Sequence, residues 1–66
     1  MTRKDYVAIA TALACARATA RCHQNESLRA ATLQGVTLAM HELTLTLATD
    51  NPRFDRGRFI AAATKD

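Results

Sequence analysis

Cys15, Cys22, His23 and His41 are the side chains of this sequence that could hold a soft metal ion or act as nucleophile and base. Their spacing argues against both roles. The cysteines are seven positions apart, which is ~10.5 Å along a helix, so they cannot share one ion while that helix is intact. An intrahelical disulfide is excluded too, because it needs Cα atoms within about 7 Å. Both cysteines are therefore expected to be free and buried as small apolar residues, with a disulfide between chains as the remaining option, one that a reducing cytoplasm disfavours. His41 and Glu42 are neighbours, so on a helix they point about 100° apart, and no serine or cysteine is placed to join either of them. His41 reads as the edge of a helix seam. With no glycine-rich phosphate loop either, the expectation is a protein that is not an enzyme and uses no metal or other cofactor.

Recognition chemistry is better represented. Arg53, Phe54, Arg56, Arg58 and Phe59 gather cations and rings within seven positions, and arginine beside aromatic residues is typical of binding surfaces. These five are the candidate partner-binding residues. An arginine-bearing helix could also enter a DNA groove, and a dimer would present two. Asp50, Asp55 and Asp66 offset those charges, and the helix would be only about nine residues long, so DNA is the weaker of the two expected partners; a purely structural or assembly role is the remaining alternative.

The elements that must carry these residues are set by hydrophobic periodicity. Between Leu28 and Ala48, the residues Leu33, Val36, Met40, Leu43 and Leu47 step by three and four and fall on one stripe of an α-helix. Ala31, Leu38 and Leu45 form a second stripe roughly opposite, beside Gln34, His41 and Glu42. A helix apolar on two sides needs two partners. The run Leu43-Thr44-Leu45-Thr46-Leu47 also alternates as a half-buried strand would, but no second strand is present to pair with it. Gly35 inside this helix is either tolerated, at about 1 kcal/mol relative to alanine, or marks the close approach of another backbone.

An earlier helix is signalled by Thr2 and Asp5, a capping-box pair, followed by the stripe Tyr6, Ile9, Leu13, Ala16 and Ala20. Its other side carries Ala8, Cys15 and Cys22 among small residues. His23-Gln24-Asn25 is a short polar connection, with Asn25 or Ser27 able to cap the long helix after it. Asp50-Asn51-Pro52 ends that helix. Asp55 can then cap a third, with Phe54 and Phe59 spaced as a hydrophobic staple. The expected fold is all-α: an antiparallel helical hairpin plus a short C-terminal helix, in a single domain over 1–66 with helices at about 3–22, 27–48 and 55–63.

Size makes self-association part of that expectation. A chain of 66 residues buries only about 60% of its unfolded surface, and two cysteines make no disulfide framework. A homodimeric helical bundle is expected, with Ala31, Leu38, Leu45, Cys15 and Cys22 as the dimer or partner interface. The net charge of +3 is modest, and the 48% hydrophobic fraction argues against disorder. Arg3 and Lys4 ahead of the apolar run 7–16 imitate an export signal, but Asp5 interrupts the positive region and a lipoprotein signal would want leucine three residues before Cys15. No apolar run approaches the ~20 residues of a membrane span. A cytoplasmic protein is expected.

The two ends of the chain carry one further signal. Met1-Thr2-Arg3-Lys4-Asp5-Tyr6, together with Asp50-Asn51-Pro52-Arg53-Phe54-Asp55-Arg56 and Arg58-Phe59, resembles a group of short, mostly uncharacterised proteins of temperate phages and prophages that share an MTRKDY start and a DNPRFDxxRF tail. The resemblance covers the ends and not residues 11–49, and it brings no catalytic residues. It implies a setting in the host cell, where small phage proteins of this kind often bind and disable a host protein in defence, transcription, signalling or surface-organelle assembly.

Overall fold

Thr2 opens the first helix, α1 (Arg3–Arg21). Its backbone N–H donates to Asp5 Oδ2 at 2.8 Å, and its hydroxyl approaches the same oxygen at 3.3 Å. One of the amides that a helix start leaves unpaired is thereby satisfied. A computed structural model describes residues 2–65 of the chain. In it, α1 is followed by α2 (Glu26–Asp50) and α3 (Arg56–Ala63), with no strand among the described residues. The protein is all-α.

Each later boundary has a local cause. Asn25 caps α2 by accepting the Leu28 N–H at 3.1 Å, which starts the helix one residue earlier than the periodicity suggests. At the far end α2 continues to Asp50, because the proline constrains only the residue before it: Asn51 is extended, at φ −138° and ψ 108°. Asp55 caps α3 through the Arg58 N–H at 3.0 Å. The leucine–threonine alternation is helical. Thr44, buried at 4% exposure, turns its hydroxyl back onto the Met40 carbonyl at 2.7 Å, so its polar group is satisfied within its own helix.

α1 and α2 run antiparallel, since Tyr6 near the start of one meets Asn51 just past the end of the other. α3 runs alongside α1 in the same direction: Phe54, just ahead of it, packs on Tyr6, and Thr64 at its end receives a hydrogen bond from Arg17. The three helices meet in a core of Ala10, Leu47, Phe59 and Ala63, with Tyr6, Ile9, Leu13, Met40, Phe54 and Ala62 packed around it. α3 covers only one end of the hairpin. The molecule is 40 Å long and 18 × 15 Å across, and at the turn end Leu28 is 55% exposed.

Of the two stripes on α2, the one with Leu33, Val36, Met40, Leu43 and Leu47 faces inward, while Ala31, Leu38 and Leu45 are exposed. On α1 the inward face is displaced from the expected one. Ala10 is buried and Ala16 is exposed, because the position that continues Tyr6, Ala10 and Leu13 one turn later is Arg17, followed by Ala20. The expectation of buried cysteines is also corrected: Cys15, on α1, and Cys22, just past its end, are free and exposed. A Cβ built on Gly35 meets nothing within 4 Å, so no backbone of the same chain approaches it.

Candidate functional site

Where α1 begins, α2 ends and α3 begins, the chain folds around a cleft of about 370 Å³, within the roughly 300–1,000 Å³ usual for ligand sites. The connection from α2 to α3 shapes it. The Phe54 N–H donates to the Asn51 carbonyl at 3.0 Å, closing a turn with Pro52 at its second position. Asn51 also works through both ends of its side chain: Oδ1 accepts the Arg53 N–H at 3.0 Å and Nδ2 donates to the Tyr6 hydroxyl at 3.1 Å. A turn residue thus holds the ring of Tyr6 from across the hairpin.

Three rings form the floor. Tyr6 and Phe54 have centroids 5.0 Å apart and Phe54 and Phe59 5.3 Å apart, each pair tilted by 59°, at separations where aromatic pairs attract. Phe59 is a core residue at 4% exposure, whereas Val7, which extends the floor along α1, is 55% exposed. Arg3, Arg53 and Arg58 stand on the rim. Their opposing charge is Asp55, whose Oδ2 lies 3.9 Å from Arg58 Nε. Both side chains of that pair are largely exposed, so the pair adds little stability.

Four of the five tail residues singled out from the sequence, Arg53, Phe54, Arg58 and Phe59, line this cleft; Arg56 does not, and is exposed on α3. Sequence reasoning missed Arg3, Tyr6 and Val7 as members of the same site, because only the antiparallel return of the chain brings the N-terminus to the tail. Capping at Asp5 and a ring at Tyr6 were visible, but nothing local says that they face Phe54.

Of the expected interface residues, Ala31, Leu38 and Leu45 are exposed on α2, Cys15 is exposed on α1 and Cys22 is exposed just past its end. Among the described residues Leu38 is the most exposed large apolar side chain at 62%, and with Leu33, Thr37 and His41 it borders a shallow groove. Among the described residues no three histidine, cysteine or acidic side chains gather closely enough to hold a metal ion, and no helix is long and apolar enough to cross a membrane. Comparison with protein families, curated proteins and solved structures finds no match to this chain.

Proposed function

We propose that this chain is a non-enzymatic accessory protein of the phage type that binds a host protein and inhibits or redirects it, acting as a homodimer. One observation carries the reading: Val7, Leu28, Leu38 and Leu45 are all more than 40% exposed, on a molecule whose buried core is only a few residues. Leu38 and Leu45 lie seven positions apart on α2 and Val7 lines the cleft, and these are the apolar positions that another macromolecule would cover. The stripe Ala31, Leu38 and Leu45 repeats every seven residues along α2, and a second copy laid on it would make an isologous helix pair. The arginine-rimmed cleft lies at the hairpin's open end and would remain available to the host protein.

Affinity capture from a nuclease-treated host lysate tests this reading. The expected result is one stoichiometric protein partner that is lost when Arg53 and Arg58 are changed to glutamate. A regulator that reads DNA is the competing function. It predicts duplex binding that weakens steeply with salt, in proportion to the phosphates neutralised. That result, with no protein captured, would overturn the proposal.

A further inference from the structure

We propose that the cleft between the start of α1 and α3 is a docking site for an acidic-hydrophobic protein segment, which seats one large apolar side chain on the Tyr6–Phe54 floor and sets carboxylates against Arg3 and Arg53. The inference rests on the protein-binding function above and names the chemistry of the partner.

Charge is the first argument. The cleft presents three guanidinium groups against one carboxylate, and that carboxylate is engaged: Asp55 Oδ1 accepts the Arg58 N–H and Oδ2 faces Arg58 Nε. Among the described residues no carboxylate pairs with the side chain of Arg3 or Arg53. Two cations at the mouth of an apolar cleft complement a ligand that combines negative charge with an apolar side chain. A guanidinium fork takes a carboxylate in two parallel hydrogen bonds, which fixes orientation as well as charge.

The floor decides between a protein segment and a nucleic acid. A single-stranded nucleic acid binds by stacking bases on open ring faces. Here Phe59 is buried at 4% exposure, and Phe54 lies between Tyr6 and Phe59 in tilted contact with both. Beside the rings the cleft is lined by Val7 and Ala62, an apolar wall that suits a leucine or phenylalanine side chain.

The test uses the full chain, 15N-labelled, titrated with three probes. One is a capped nonapeptide with Asp and Glu on both sides of a central Phe-Leu pair, the second is the same peptide with Asn and Gln in place of the acids, and the third is a nine-nucleotide oligothymidylate. The acidic peptide should bind saturably and perturb the amides of Arg3, Val7, Arg53 and Phe54. The neutral peptide should bind at least about tenfold more weakly, as should the acidic peptide to the R3E/R53E variant. Val7→Asp, at a position exposed enough to leave the fold intact by circular dichroism, should abolish acidic-peptide binding. Equal affinity for the neutral peptide, perturbation elsewhere on the surface, no saturable binding, or tighter binding of the oligothymidylate in the cleft would each overturn the inference. A host partner captured equally well by wild type and R3E/R53E would overturn it while leaving the protein-binding function standing.

Discussion

Arg17 donates a hydrogen bond from its guanidinium to the carbonyl oxygen of Thr64 at 3.0 Å, across 47 positions of sequence. It joins the middle of α1 to the residue that closes α3, where the helix leaves carbonyls unpaired and its dipole favours a cation. An eight-residue helix is too short to persist alone. Arg17 and the two phenylalanines are what hold it in place.

Arg17→Ala should therefore lower stability by about 1.5–3 kcal/mol, the range for a hydrogen bond to a charged group. Urea denaturation measures the change. Hydrogen exchange should show it concentrated in α3, and a uniform loss of protection along all three helices would contradict this account.

Phe59 is the deepest large side chain in the core, at 4% exposure, and its truncation leaves a void beneath Phe54. Phe59→Ala should cost about 3 kcal/mol, the lower end for a buried aromatic residue. Asn51→Ala, which removes the hydrogen bond to the Tyr6 hydroxyl and the one to the Arg53 amide, should cost about 1 kcal/mol. Equal effects in thermal unfolding would mean that the turn, and not the ring, anchors the tail.

With Leu38 and Leu45 outward and Met40 and Leu47 inward, charge substitutions on α2 separate assembly from folding. Leu38→Asp should stay helical and give a 7.2 kDa monomer in sedimentation, where the wild type gives a dimer. Leu47→Asp should unfold the chain. A wild type that sediments as a monomer at micromolar concentration would remove the dimer.

Gly35 gives an independent reading of the same surface. Since nothing within the chain lies near its missing Cβ, Gly35→Ala should raise the stability of an isolated monomer by about 0.5–1 kcal/mol through helix propensity alone. If the second copy packs closely there, the same change should weaken the dimer. Unfolding measured at low and high protein concentration distinguishes the two effects.

The backbone N–H of Thr2 that donates to Asp5 holds the Asp5 carboxyl below its ordinary value, with the Thr2 hydroxyl acting in the same direction. For a group whose folded-state pKa is depressed, the stabilisation is fully present above the unfolded-state value and disappears as pH falls through the folded-state value. The first turn of α1 should begin to loosen below about pH 3.9, the ordinary aspartate value. Amide exchange at Tyr6 as a function of pH would report it, and Asp5→Asn should remove the dependence.

The parts of the fold that were legible in the sequence are those with local causes. Thr2 with Asp5, Asn25 and Asp55 marked three helix starts, and the leucine stripe at steps of three and four picked out the inward face of α2. Burial of Ala10 was not legible, because an alanine looks the same on either face of a helix and only the docking of Phe59 and Ala63 selects it. Arg17 was not legible because a charged residue interrupts an apolar stripe unless its partner is known. The cysteines misled for the opposite reason. Their apolar chemistry suggested burial, but three helices of this length leave no further layer to cover the outer side of α1. Half of the cleft was visible in the tail; the other half comes from Arg3 and Val7, which become neighbours of Arg53 only after the chain has doubled back.

The placement of the core at the open end of the hairpin also sets the order in which the protein can fold. Contacts between neighbours in sequence ordinarily make helical domains fast to form, but Ala10 finds its partners at Leu47, Phe59 and Ala63. During synthesis the first two helices emerge before Phe59 and Ala63, two of the four buried residues of that core. The core is complete only once Phe59 and Ala63 can reach Ala10 and Leu47, so α3 has to be present for it to close. A chain cut short ahead of Phe54 would be an unstable hairpin and not a smaller folded protein.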